Sequence, residues 1–300
     1  MGLISGAIND ALIAVGSGLM SVGETALEAA YGVWSGAAGI TISYARQSPA
    51  SQGNAWALVT GNLYSLSLSV AASLSVLYFV IGWLADAIDI RNNFMLENIF
   101  KFFVRYLITV SLIANSLALV EGITTCTGAV VATVATEADE MDSVDGIFDE
   151  MRAELDEQED GGAWLSSGVI GLLGGLIGAL VVIVCSINLI LAVLSRLFKM
   201  LLCIPFAPVA LAGFAGGHEF SRFGKAWLMT YLGYALEALV IVLALLISLG
   251  LFRDAGIFDT TGAGWTGVVL QICEFCMPML TACACVRGAD TIVRRCLGLG

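Results

Sequence analysis

The chain of 300 residues is 58% hydrophobic and 13% charged, with a mean hydropathy of +0.91, values outside the range of soluble globular domains. Its formal charge of -12 describes one segment rather than a whole surface, because 12 of the 25 acidic residues fall between Glu137 and Asp160. Apolar runs reaching the roughly 20 residues that cross a bilayer recur along the chain, which argues against a soluble enzyme and predicts an all-α polytopic membrane protein of about five transmembrane helices.

The N-terminus has no basic n-region and alternates apolar with polar residues, so no cleaved leader is expected. In residues 3 to 33, Ile4, Ile8, Leu12, Val15, Leu19 and Val22 recur at helical spacing, with Asp10, Ser17, Ser21, Glu24 and Glu28 on another face. This pattern predicts an amphipathic helix lying on the membrane or against a partner helix. The Pro-, Gly- and Ser-containing linker RQSPASQGN follows and closes an N-terminal region of residues 1–54.

Residues 55–136 hold the first two spans. The first covers 55 to 85 and is flanked by Trp56 and Trp83 as interfacial anchors. The second covers 102 to 120, with a helical pattern that extends through Cys126 to Ala135. In the acidic stretch 137–163, Met141, Val144, Phe148, Met151 and Leu155 keep one helical stripe, which predicts a short solvated helix ended by Gly161 and Gly162.

The transmembrane core spans 164–287 and leaves a tail at 288–300. Its first helix, 164 to 195, places Gly171 four residues before Gly175 and Gly174 four before Gly178, a spacing that lets helix backbones approach closely. Residues 200 to 217 are apolar but broken by Pro205 and Pro208, which predicts a re-entrant or kinked segment that does not cross. Spans at 226 to 252 and 264 to 286 complete the layout.

Basic residues test this order, because cytoplasmic loops are enriched in Lys and Arg. With the N-terminus outside and the C-terminus inside, Arg91, Lys101, Arg105, Arg196, Lys199, Arg222, Lys225, Arg287, Arg294 and Arg295 fall inside. Arg46, Arg152 and Arg253 fall outside together with the acidic loop.

Phosphate-loop, nucleophile-elbow, zinc-protease and dinucleotide-binding motifs are missing, and His218 is the single histidine. No catalytic, cofactor-binding or metal-binding residue is therefore expected. The pair Cys273 and Cys276 lies in an apolar helix, where one helix cannot close a tetrahedral site. Cys185, Cys203 and Cys283 also lie in apolar runs and read as small packing residues.

Glu237 and Glu274 stand out, since ionisable groups within spans are costly and face the protein interior or water. Glu237 lies about 18 Å along the helix from Lys225 and Glu274 about 14 Å from Trp265. In a core about 30 Å thick, both fall near the midplane. They read either as satisfied carboxyls that fix helix packing or as carboxylates of a polar pathway.

The stretch Ile204–Leu246, IPFAPVALAGFAGGHEFSRFGKAWLMTYLGYALEALVIVLALL, resembles the characteristic region of the TrbL family, polytopic inner-membrane subunits of type IV secretion and conjugation machines. The residues that carry the resemblance are Pro205, Pro208, Gly213, Gly216, Gly217, Ser221, Phe223, Gly224 and Lys225. They cover a Pro-containing turn, a Gly-rich step and a short polar loop leading into another span.

The resemblance implies a non-enzymatic, homo-oligomeric channel or scaffold subunit in the cytoplasmic membrane. It would move protein or relaxase-bound single-stranded DNA, contacting that substrate only transiently, with energy from separate ATPase subunits. It makes the loop HEFSRFGK, with His218, Glu219, Arg222 and Lys225, a docking surface for such subunits. Without the resemblance, that loop is an ordinary positive-inside anchor among membrane lipids. Gly171, Gly174, Gly175 and Gly178 would then pack between subunits, the alternative being contact with another helix of the same chain. The competing functional classes are a small secondary transporter coupled through Glu237 and Glu274, and a structural or lysis-type pore.

Overall fold

A computed structural model of the chain describes residues 2–87, 96–135, 161–253 and 265–298. Among them every regular element is helical. α1 covers Gly2–Arg46; a 3-10 turn at Pro49–Ser51 leads to α2 (Gly53–Leu58), which joins α3 (Tyr64–Ala87) through a π-type turn at Val59–Leu63. α4 (Leu96–Ala114) and α5 (Ser116–Ala135) meet at Asn115, whose N–H and C=O keep the helical spacing through bonds to Ser111 and Leu119. α6 (Gly161–Cys203) is followed by a 3-10 turn at Ile204–Phe206, α7 (Ala207–Ala212) and a second 3-10 turn at Gly213–Gly216. α8 covers His218–Arg253 and α9 covers Trp265–Cys296. The acidic stretch 137–160 lies outside the described residues.

Among the described residues six helical stretches are long and apolar enough to cross a membrane: Gly6–Arg46, Gly53–Leu84, Ser116–Ala135, Gly161–Gly216, Phe220–Ser248 and Val269–Cys296. The chain has the all-α, polytopic character its composition predicts. Two details differ from the expected layout. α1 joins the apolar set, and the expected second span moves towards α5, because Glu97, Lys101 and Arg105 load the first half of α4 with charge.

The helices gather into two compact units, one of Met1–Ser43, Val134–Ala192 and Ile241–Arg287, the other of Tyr44–Thr133, Val193–Val240 and Gly288–Gly300. In the first unit, α1 buries Gly16, Met20, Gly23, Leu27, Ala30, Trp34, Ala37 and Thr41, three or four residues apart. The predicted apolar stripe points the other way: Ile8, Val15 and Val22 are exposed, as are Asp10, Ser21 and Glu28, while Glu24 is buried. Of the two placements expected for α1, on the membrane or against a partner helix, the packing seen is against a helix, α6. Lipid is as apolar as Leu, so helices in it associate through close packing, which favours small residues inside and large apolar ones outside.

α1 and α6 run parallel in constant register. Asn9 meets Gly161, Gly16 meets Gly168, Gly23 meets Gly175 and Leu27 meets Gly178. At the start, the otherwise unpaired first N–H of α6, that of Gly161, donates to Asn9 Oδ1 at 2.8 Å. α9 follows α6 in the same sense, with Ile272 against Gly174, Cys276 Sγ donating to the Gly178 carbonyl at 3.9 Å and Arg287 Nη2 donating to Asn188 Oδ1 at 2.5 Å. A parallel α6 and α9 is what α8 returning between them gives. A parallel α1 and α6 is not what simple alternation of crossings at α1, α2–α3, α5 and α6 would give.

In the second unit α3 and α4–α5 form an antiparallel hairpin. Tyr64 and Ser116 share a hydrogen bond of 2.7 Å, and further along Phe79 packs on Phe103 and Tyr106. Ala71, Ile113, Leu211 and Ala212 form one buried cluster here. Val59, Val120, Met200, Ile204, Tyr231 and Ala235 form another.

Candidate functional site

The segment after Cys203 is broken, as its prolines predict, and it is packed in the hairpin of α3 and α4. Pro205 and Pro208 sit in the first turns of the 3-10 turn and of α7, where a missing N–H costs least. Carbonyls freed by the break find side-chain donors: Ser67 Oγ donates to Pro205 O, Trp227 Nε1 to Cys203 O at 3.1 Å, and Arg105 Nη2 to Ala215 O at 2.9 Å. Such re-satisfaction is what a helix interrupted by 3-10 turns requires away from water. A Cβ on Gly82 of α3 would come within 2.9 Å of the Gly216 carbonyl, so these backbones touch. Gly217 then reverses the chain at φ 88°, a conformation that favours glycine.

The sequence HEFSRFGK, expected as a loop, forms the first turns of α8. Arg222 and Lys225 are exposed there, whereas the side chains of His218 and Glu219 are outside the described set. A helix places Arg222 and Lys225 three residues apart on neighbouring positions of one face. Phe220, in the same turns, stacks on Tyr78 of α3 at 4.7 Å between ring centroids. The segment is an anchored helix start and not a free loop.

Glu237 on α8 is 5% exposed and enters a charged cluster that joins three helices. Its Oε1 lies 3.7 Å from Lys199 Nζ of α6, and Lys199 lies 3.9 Å from Asp290 Oδ2 of α9. Asp290 Oδ1 takes a hydrogen bond of 2.9 Å from Arg294 Nε, and Arg294 Nη2 donates to Tyr234 OH at 3.1 Å. Arg196, 2% exposed, donates from Nε to Tyr234 O at 2.8 Å and from Nη2 to Ala235 O at 3.4 Å. Charges removed from water need partners, because desolvation costs several kcal/mol or more per ion. This arrangement supplies three cations and two anions with backbone carbonyls beside them.

Glu237 is therefore held through one carboxylate oxygen, Oε1. Glu274, half-buried on α9, belongs to the first unit, whereas Glu237 and Lys199 belong to the second. Sequence reading placed Arg196, Lys199 and Arg294 only as inside-facing anchors and missed Asp290. The available signal was the spacing of Arg196 and Lys199 by three, and of Asp290 and Arg294 by four, within otherwise apolar helices.

The four glycines expected at a subunit interface are occupied within the chain. A Cβ on Gly175 would approach Gly23 O to 2.6 Å, one on Gly178 would approach Leu27 Cδ2 to 2.9 Å, and one on Gly174 would approach Ile272 Cδ1 to 2.6 Å. Gly171 packs on Met20 at 3.4 Å. These are the contacts of the alternative reading, packing on other helices of the same chain. α1 and α9 fill the faces that glycine leaves low, and an added side chain would strike them first. All eight cysteines are free thiols, and no group of three or more His, Cys, Asp or Glu among the described residues is placed to hold a metal.

Comparison with protein-family models, curated proteins and solved structures finds no match.

Proposed function

We propose that this chain is a non-enzymatic channel or scaffold subunit of a conjugative type IV secretion machine in the cytoplasmic membrane. It assembles as a homo-oligomer and passes protein or relaxase-bound single-stranded DNA. What supports the reading is the conformation of the stretch that carries the resemblance to TrbL proteins: a Pro-broken segment at residues 204–216, a glycine reversal at Gly217 and a long helix starting at His218. In this reading the N-terminus is outside and the C-terminus inside, ATPase subunits dock near Arg222 and Lys225, and subunit contacts lie away from the glycine face.

The test is deletion of the gene in its host with a mating assay, joined to purification in mild detergent and mass measurement. Loss of transfer and a stable ring support the proposal. Normal transfer, with a compact monomer in detergent, sinks it.

A second reading is a small secondary transporter, favoured by one observation: Glu237 Oε2 is buried without a hydrogen-bond partner. Proton-coupled uptake that is lost in Glu237→Gln, with mating intact, would select it.

A further inference from the structure

We propose that the interior between α6 and α8 in the second unit is a binding site for internal water, which bridges the Arg196 guanidinium to Glu237 and Tyr231. Buried polar atoms from these two helices have no hydrogen-bond partner in the protein: Arg196 Nη1, Tyr231 OH and Glu237 Oε2. The side chains that carry them are 2%, 0% and 5% exposed. A buried polar atom left unpaired costs more than a typical hydrogen bond gains, so each such atom in a folded chain calls for a partner.

The guanidinium locates the site. Its Nε and Nη2 donate to the carbonyls of Tyr234 and Ala235, consecutive residues of α8, so one edge of the planar fork is fixed and Nη1 points away from that edge. Tyr231 and Glu237 lie on the same helix, one before and one after those carbonyls. Both act on the guanidinium electrostatically, yet among the described residues no direct hydrogen bond or ion pair joins either of them to it. Polar groups close enough to interact, too far apart to touch and shielded from bulk solvent are the kind that water joins.

The chemistry of the three atoms selects the ligand. Nη1 only donates, a carboxylate oxygen only accepts, and a tyrosine hydroxyl does either. An inorganic anion would suit Nη1 but face the Glu237 carboxylate, and a metal cation would suit the carboxylate but face Arg196 and Lys199. Water is neutral and serves both roles, and a buried water typically makes about three hydrogen bonds. Glu237 Oε1 is occupied already, by Lys199 at 3.7 Å, which leaves Oε2 for the water. The oxygen that favours the transporter reading thus gains a partner without any transport, and the site rests on neither functional reading.

Radiolytic hydroxyl labelling detects such water, because the radicals form from water in place and oxidise the side chains beside it. The full chain in mild detergent is irradiated with X-rays, and oxidised residues are located by mass spectrometry. Tyr231 should be labelled faster than Tyr64, although Tyr64 is the more exposed at 8%, because the Tyr64 hydroxyl is already bonded to Ser116. After rapid mixing with water carrying a heavy oxygen isotope, the label on Tyr231 should take up the isotope more slowly than the label on exposed Phe223. That delay is the residence of bound water, whereas transient opening of the helices gives none. Arg196→Leu combined with Glu237→Leu should lose the Tyr231 labelling and leave that of Tyr64 unchanged.

Tyr231 labelling no faster than that of Tyr64, isotope uptake at the rate of Phe223, or unchanged Tyr231 labelling in the double variant overturns the proposal. If the double variant does not fold, the isotope delay in the parent chain decides. The assay reads water and neither substrate transfer nor uptake, so its failure is distinct from failure of either functional reading.

Discussion

Gly168 of α6 lies so close to Gly16 of α1 that a Cβ built on Gly168 would overlap the Gly16 carbonyl, and one built on Gly16 would overlap the Trp164 carbonyl. Two backbones in direct contact leave no space for relaxation without moving a helix. Gly168→Leu is expected to destabilise the chain by about 1–3 kcal/mol or more, in the range for overpacking. Gly18→Leu, with nothing within 4 Å of its Cβ, is expected to be close to neutral. Thermal unfolding of both variants in the same detergent measures the difference, and equal midpoints would remove the α1–α6 contact from the account.

Gly174→Leu with Gly175→Leu carries the same logic to the glycines once expected between subunits. Both positions face atoms of the same chain, Ile272 Cδ1 and the Gly23 backbone. The double variant should be recovered in low yield or aggregated, as judged by size-exclusion chromatography. A folded, monomeric product would restore the intersubunit role.

The charged cluster on α6, α8 and α9, in which Arg196 and Glu237 are buried, predicts a double-mutant pattern. Arg196→Leu leaves Glu237 short of one nearby cation, and Glu237→Leu leaves Lys199 and Arg196 with less compensation. Breaking a buried charge set one-sidedly costs about 3–5 kcal/mol, whereas apolar replacement of both sides is often neutral. Each single variant should therefore lower the thermal midpoint, and the double variant should regain much of the loss. Additive losses would mean that Arg196 and Glu237 act independently.

Topology follows from the break at Pro205 and Pro208. Reporters fused after Arg196 and after Gly217 should fall on the same side, because the short helical pieces between them are read as a segment that enters without crossing. Cysteines introduced at Ser143 or Gln158, in a cysteine-depleted background, should react with an impermeant thiol reagent in intact cells. Opposite sides for the two reporters, or labelling only after lysis, would overturn the orientation.

Membrane character, helical class, the break after Cys203 and the close-packing capacity of the glycines are all visible in the sequence. Each depends on local quantities: apolar length against bilayer thickness, missing N–H groups at proline, and the absence of a Cβ. The partner of each surface is not local. Ile8, Val15 and Val22 form the obvious apolar stripe of α1, yet its small-residue face is the buried one, because between lipid and protein the choice turns on fit and not on hydrophobicity. Gly171, Gly174, Gly175 and Gly178 offer a low face without naming what fills it, and the parallel register with α1 and the approach of Ile272 from α9 supply neighbours from the same chain. Likewise the sequence marks Glu237 as a costly charge, but Lys199 and Asp290 become its neighbours only when α6, α8 and α9 meet, since a charge buried in one helix is satisfied by residues that sequence distance cannot pair.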